Sequence, residues 1–235
     1  MTGPLDRPLL RGTALLNALA AARLLHGDAL LGALSERLTP TQRAEVQAGL
    51  LPGRWYDEEI QAVLVRTIAT LHGDVAVVRA GLALMRHHVS RAQRFLTRVS
   101  GPRRLVARSA GLWAYWRNTG RVDVEHLGPT RARVAIVDHP LTAAPDSALF
   151  HAASSAYLLY LAGARQLRLR CDTQDPRRTV LGFFWGEDPE RRPGLIDIDP
   201  LVLGLPAPAP ADQAARRRTA PRSSPPSWRP GSTPA

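Results

Sequence analysis

The chain has no lysine and a single cysteine, Cys171, among its 235 residues. One cysteine excludes an intrachain disulfide and a zinc site built on paired thiolates, and it fits a reducing compartment. No uninterrupted apolar run reaches the roughly 18 residues of a bilayer span. The N-terminus, MTGPLDRPLLRG, lacks the basic start and apolar run of a signal peptide. A cytoplasmic protein without a membrane span is expected. Also missing are the phosphate loop GxxxxGKS/T, the dinucleotide turn GxGxxG, the metalloprotease HExxH and the nucleophile elbow GxSxG. Carboxylates fall mostly at helix caps or on outward strand faces, and Cys171 falls on the apolar face of a strand. No catalytic residue, cofactor or metal is therefore assigned, and the chain is expected not to be an enzyme.

Arginine carries all of the fixed positive charge. The formal net charge is +11, with a pI near 11.3. Abundant Ala, Arg, Leu and Pro first reflect a GC-rich genome. Residues 201–235 hold five Arg and one Asp, or +4, which leaves +7 for the rest. That remainder is spread along the chain and no nucleic-acid motif organises it, so only non-specific, salt-sensitive binding to nucleic acid is expected.

The stretch from Leu112 to Pro140 organises the chain. It reads as a helix end, a turn at Asn118–Gly120, and two strands joined around Gly128–Pro129. Val122 and Val124 alternate with Asp123 and Glu125; Ala132, Val134 and Ile136 alternate with Arg131 and Arg133. An odd-length loop sets Val124 against Val134 and Glu125 against Arg133, whereas an even one sets Val against Arg. The odd loop is expected, with Val124 on the buried face. On that reading Val124→Asp costs several kcal/mol, as a buried charge does, and Glu125→Ala costs under about 1 kcal/mol.

Before this stretch the sequence is helical. Two helices over Gly12–Leu38 meet at His26-Gly27-Asp28, and the same tripeptide recurs between helices at His72-Gly73-Asp74. Gly suits the left-handed end of one helix and Asp the start of the next, so a structural role outweighs a paired His/Asp site. Further helices are expected from Pro40 to Ala48, after Asp57, after Asp74, through Phe95, Leu96 and Val99, and from Arg103 to Tyr115. The adjacent His87 and His88 point apart on a helix, and neither has a ligand type three or four residues away, so they hold no metal. After the hairpin, Ala148–Ala162 is a helix apolar almost all round, which implies burial on several sides. A second hairpin follows, Gln166–Cys171 and Thr179–Trp185, turning at Asp175-Pro176.

The fold class expected is α+β: a helical N-terminal half packed on a small antiparallel sheet of two hairpins with a helix between them. Residues 1–11 are assigned to an N-terminal extension, 12–190 to a single domain, and 191–235 to a Pro/Arg/Ser-rich disordered tail.

Four segments occur in an order that resembles a family of uncharacterised proteins abundant in myxobacteria. They are RGTALLNAL, GLLPGRWYDEE, LWAYWRNTGRVDVEHLGPTRARV and a closing C-x3-DP hairpin, together spanning about Arg11 to Trp185. That family is distantly similar to the superfamily of haem–nitric-oxide-binding domains, 4-vinyl-reductase domains and transport-particle subunits of Golgi traffic. The resemblance implies the fold just described and a non-enzymatic small-molecule-binding or sensory module. The haem branch carries Tyr-x-Ser-x-Arg, which Tyr115-Trp116-Arg117-Asn118 does not match, so no haem is expected. Relatives often carry a second cysteine where this chain has Thr179.

A pocket between helix Ala148–Ala162 and the sheet is expected to be lined by Trp113, Trp116, Phe150, Tyr157 and Phe183 and to hold a hydrophobic small molecule. The plainer reading is that these residues only fill the core. The alternative function is a protein-interaction or scaffold module acting through helical faces, as a homo- or hetero-oligomer.

Overall fold

The computed structural model describes residues 7–139, 144–175, 177–186 and 195–206. A short strand, β1 (Leu9–Arg11), leads into α1 (Gly12–Arg37), which bends at Gly27 with φ 75°. Helix α2 (Pro40–Gln47) starts with a capping box in which Thr39 and Gln42 satisfy each other's backbone N–H. Strand β2 (Trp55–Asp57) pairs antiparallel with β1, setting Leu10 against Tyr56. Helices α3 (Glu59–His72) and α4 (Asp74–His88) meet at Gly73, φ 78°. The two His-Gly-Asp corners thus share one left-handed glycine conformation, open to Gly at little cost. They also lie side by side, because the His26 and His72 rings stack at 4.3 Å.

Helix α1 has the length and composition of a bilayer span. Gly27 breaks it into two shorter pieces, however, and its Leu15, Ala18, Ala22, Leu30 and Leu34 are buried in the helical layer beside α3 and α4.

Ser90 and Gln93 form a second capping box at the start of α5 (Arg91–Ala107), which bends at Gly101-Pro102. The helix expected from Arg103 to Tyr115 is interrupted at Arg108, where α6 (Ser109–Trp116) begins. Strands β3 (Arg121–Leu127) and β4 (Arg131–Val137) form the first hairpin. Helix α7 (Pro145–Leu161) follows, then β5 (Arg168–Asp175), β6 (Arg178–Phe184), β7 (Ile196–Asp197) and α8 (Asp199–Leu203). The sheet is antiparallel in the order β3-β4-β6-β5-β7. Helix α7 packs on α3, α4 and α5 and also on β5 and β6, so it joins the helical layer to the sheet. At its crossing with α4, Gly81 lets the backbones close: a Cβ there would meet the Phe150 carbonyl oxygen at 2.5 Å.

The expected α+β architecture holds, with three corrections. The first hairpin closes through Gly128 and Arg131, a two-residue loop of Pro129 and Thr130, not an odd one. The pair Val124↔Val134 is nevertheless present, because a bulge at Glu125 shifts the register and restores parity. Arg133 then faces His126, while the Glu125 carboxylate still reaches the Arg133 guanidinium at 2.9 Å and also pairs with Arg178. Second, Val124 stands 37% exposed, because it lies on an edge strand past the cover of the helices; Val122 is the buried one. Third, order extends outside the expected domain. Leu9–Arg11 forms a strand within the supposed extension. Within the supposed tail, Ile198, Val202 and Leu205 are buried, and Asp199 accepts from the Gln166 and Leu167 amides. Three-residue strands and a five-residue helix carry too little periodicity to read, and nearby prolines masked the last apolar stretch. Residues 207–235, with Arg216–Arg218, and Pro176 at the second turn lie outside the described residues.

Candidate functional site: a cavity between helices and sheet

Glu58, at the start of α3, is wholly buried. Such a carboxylate persists only with partners. Arg117, just past α6, donates from Nε to Glu58 Oε1 at 2.7 Å, and His139, just past β4, donates from Nε2 to Oε2 at 3.0 Å. Burial alone would raise the Glu58 carboxyl; the Arg117 charge and the His139 hydrogen bond overcome it and hold it at about 2. Arg117 Nη2 also donates to Gln61 Oε1 and to His151 Nδ1, each at 3.3 Å, and its guanidinium lies 4.2 Å from the centre of the Trp113 ring. Trp113 in turn donates from Nε1 to the Thr119 carbonyl at 3.0 Å and meets His139 and His151 edge-on. This network ties α3, α6, the hairpin and α7 to one point.

Beyond that point a cavity of about 280 Å³ opens between α4, α5, α6, α7 and the inner face of β3, β4 and β6. Its wall is mostly apolar, including Leu105, Val106, Val122, Val134, Ile136 and Leu181. Gln61, Arg117 and His151 form a hydrogen-bonded polar cluster in the wall, which His88, Ser109, Ser154 and Ser155 also line. His151 is pushed well below its ordinary value, chiefly by burial and then by the Arg117 charge, so it is neutral. Because Nδ1 accepts from Arg117, the proton of that neutral ring sits on Nε2. The site therefore offers a hydrogen-bond donor in an apolar enclosure whose one fixed ion pair, Glu58–Arg117, is already balanced.

Trp113, Trp116 and Phe183 of the five expected residues line this cavity. Phe150 and Tyr157 do not; both are buried on a different side of α7. The cavity-facing side of α7 is instead His151, Ser154, Ser155 and Leu158, spaced i, i+3, i+4 and i+7. Aromatic content does not mark that stripe, whereas three polar residues at helical spacing in an otherwise apolar helix do. Glu58 and His139 had no such signal, because their contact spans 81 positions.

The fold, a helical layer on an antiparallel sheet, is one this chain shares with solved H-NOX domains. The unliganded Fe(II) H-NOX protein from K. algicida superposes with a TM-score of 0.56 at 8% identity, covering 78% of this chain and all (100%) of that one. An H-NOX mutant from S. oneidensis gives 0.53 at 14% identity, covering 76% and 97%. An oxygen-binding H-NOX domain related to soluble guanylate cyclases gives 0.50 at 9%, covering 78% and 98%. At these identities the likeness is one of fold. In sequence, residues 79–185, from α4 through β6, are similar to the family described as "Protein of unknown function (DUF2378)". No curated protein matches the chain.

The cavity histidines do not suit an axial haem ligand. A metal-binding imidazole normally donates its second N–H to an acceptor and leaves the other nitrogen bare. Here the polarity is reversed. Asn17 Nδ2, fixed by its second bond to the Thr13 carbonyl, donates to His88 Nδ1 at 2.6 Å, and Arg117 donates to His151 Nδ1. Both rings then carry the proton on Nε2, the nitrogen an iron would need. Among the described residues no group of three His, Cys, Asp or Glu side chains is placed to hold a metal ion.

Proposed function

We propose that the protein is a non-enzymatic binding module whose cavity holds a small, mostly apolar molecule with one neutral hydrogen-bond acceptor. The observation that carries this reading is the polar cluster in the wall of the 280 Å³ cavity, where His151 is neutral and Arg117 is already balanced by Glu58. A carboxylate head would add an unmatched buried charge, whereas a carbonyl or hydroxyl oxygen would accept from His151 without one. The volume lies at the lower edge of small-molecule sites, which run from about 300 Å³ upward. Cys171, whose thiol burial pushes up to about 12, does not line the cavity and supplies no thiolate there. Sharing a fold with H-NOX domains adds precedent for a sensory role, not a ligand.

Thermal shift with 2-octanone, octanoate and octane tests the reading. 2-Octanone should stabilise most and octanoate least. Ser155→Phe, which adds bulk to the cavity wall, should abolish the 2-octanone shift while leaving a cooperative melt. Equal shifts from all three probes, or a 2-octanone shift unchanged in Ser155→Phe, would defeat it.

A further inference from the structure

The outer side of α5 and α6 is not used by the cavity. On α5, Gln93 and Thr97 face inward to the cavity wall. On another side of the same helix, Phe95 is 66%, Leu96 59% and Val99 61% exposed. Tyr115 on α6 is exposed as well, whereas Leu112 lines the cavity. A cluster of bulky apolar side chains on an ordered helix is a surface made to be covered. The segment that carries it has fixed charge of one sign, although Arg117 and Arg121 at its end pair with Glu58 and with Asp123 and Asp138. Between Asp74 and Asp123 the sequence holds ten arginines and no Asp or Glu. Four of those arginines, Arg98, Arg103, Arg104 and Arg108, are exposed on α5 or at its end.

We propose that this face docks on the surface of an anionic lipid bilayer, with Phe95, Leu96 and Val99 entering the boundary beneath the headgroups and the flanking arginines meeting lipid phosphates. Charge complementarity selects the occupant. A second copy of the chain would bring the same uncompensated arginines and repel. A nucleic acid would satisfy the arginines but leave Leu96 and Val99 uncovered. A bilayer with anionic headgroups covers both, in the manner of interfacial helices that combine basic and bulky apolar residues. The inference stands apart from whatever the cavity binds.

Sedimentation of the full chain with vesicles tests it. Vesicles of equimolar phosphatidylcholine and phosphatidylglycerol should retain about tenfold more protein than pure phosphatidylcholine, with the excess lost at high salt. The double variant Phe95→Ser, Leu96→Ser should lose most of that binding while melting like the parent, because both side chains are exposed. Leu71→Ser, a half-exposed leucine elsewhere, should bind like the parent. Equal retention on both vesicle types would overturn the proposal. So would undiminished binding by the double variant, which would move the interaction to the arginines of residues 207–235. Failure to bind vesicles, together with a dimer that the double variant dissociates, would assign the face to self-association instead.

Discussion

At the scale of single residues, Glu58 carries the largest stake. It is fully buried between Arg117 and His139, so Glu58→Gln leaves the Arg117 charge with no carboxylate partner among the described residues. Breaking a buried pair this way costs about 3–5 kcal/mol. Asp123→Asn, which removes an exposed partner of Arg121, should cost under about 1 kcal/mol. Urea denaturation of the two variants checks the contrast, and comparable losses would show the buried network to be unimportant. The same residues set the response to acid. His151 is held below its ordinary value of 6.5, so below pH 6.5 the unfolded chain takes up a proton that the folded one refuses, and stability falls as pH drops. His26 acts in the same direction. Glu58, held at about 2 against an ordinary 4.5, adds a second loss that begins below pH 4.5 and continues until the folded carboxyl protonates. His151→Gln should therefore flatten stability between pH 6.5 and 5 and leave the lower loss in place, as read from unfolding free energies across that range. A parent protein equally stable at pH 5 and 7 would contradict the assignment.

At the scale of elements, the tests concern fit. Gly81→Ala gains roughly 1 kcal/mol of helix propensity, yet its Cβ would strike the Phe150 carbonyl oxygen and the Ala153 methyl. A net loss of about 1–3 kcal/mol is expected. Gly32→Ala, with open space around it in α1, should instead stabilise by about 0.5–1 kcal/mol. Denaturation midpoints that move in the same direction for both would refute the close crossing of α4 and α7. The first hairpin calls for Val122→Asp to be far more damaging than Val124→Asp, reversing the weight that strand alternation alone gives Val124. Alternation fixes which side chains share a face, and that was legible: Val122, Val124, Val134 and Ile136 do share one. It does not say where the covering helices stop, nor that a bulge at Glu125 combines an even loop with an odd register. The repeated His-Gly-Asp corners were legible for a local reason, since glycine at a left-handed position and acidic residues in a first turn act over a few residues. Their stacking on each other was not, because it is made by tertiary packing.

At the scale of the whole molecule, the layer order could be read from the run of helices followed by hairpins, and the cavity between helix and sheet from a central helix apolar on all sides. What that helix presents to the cavity could not be read from its apolarity, which is nearly uniform. The spacing of His151, Ser154 and Ser155 marks that side of the helix in the sequence, but their surroundings do not show there: Arg117 comes from just past α6, Glu58 from between β2 and α3, and His139 from just past β4. The site is thus a junction of distant segments, closed by one buried ion pair and one neutral imidazole. Diffraction from crystals grown with 2-octanone tests this most directly. The account predicts ordered density between α5, α7 and the sheet, with the carbonyl oxygen within hydrogen-bonding distance of His151 Nε2. A cavity that stays empty under saturating 2-octanone, or a ligand seated with its carbonyl away from His151, would contradict it.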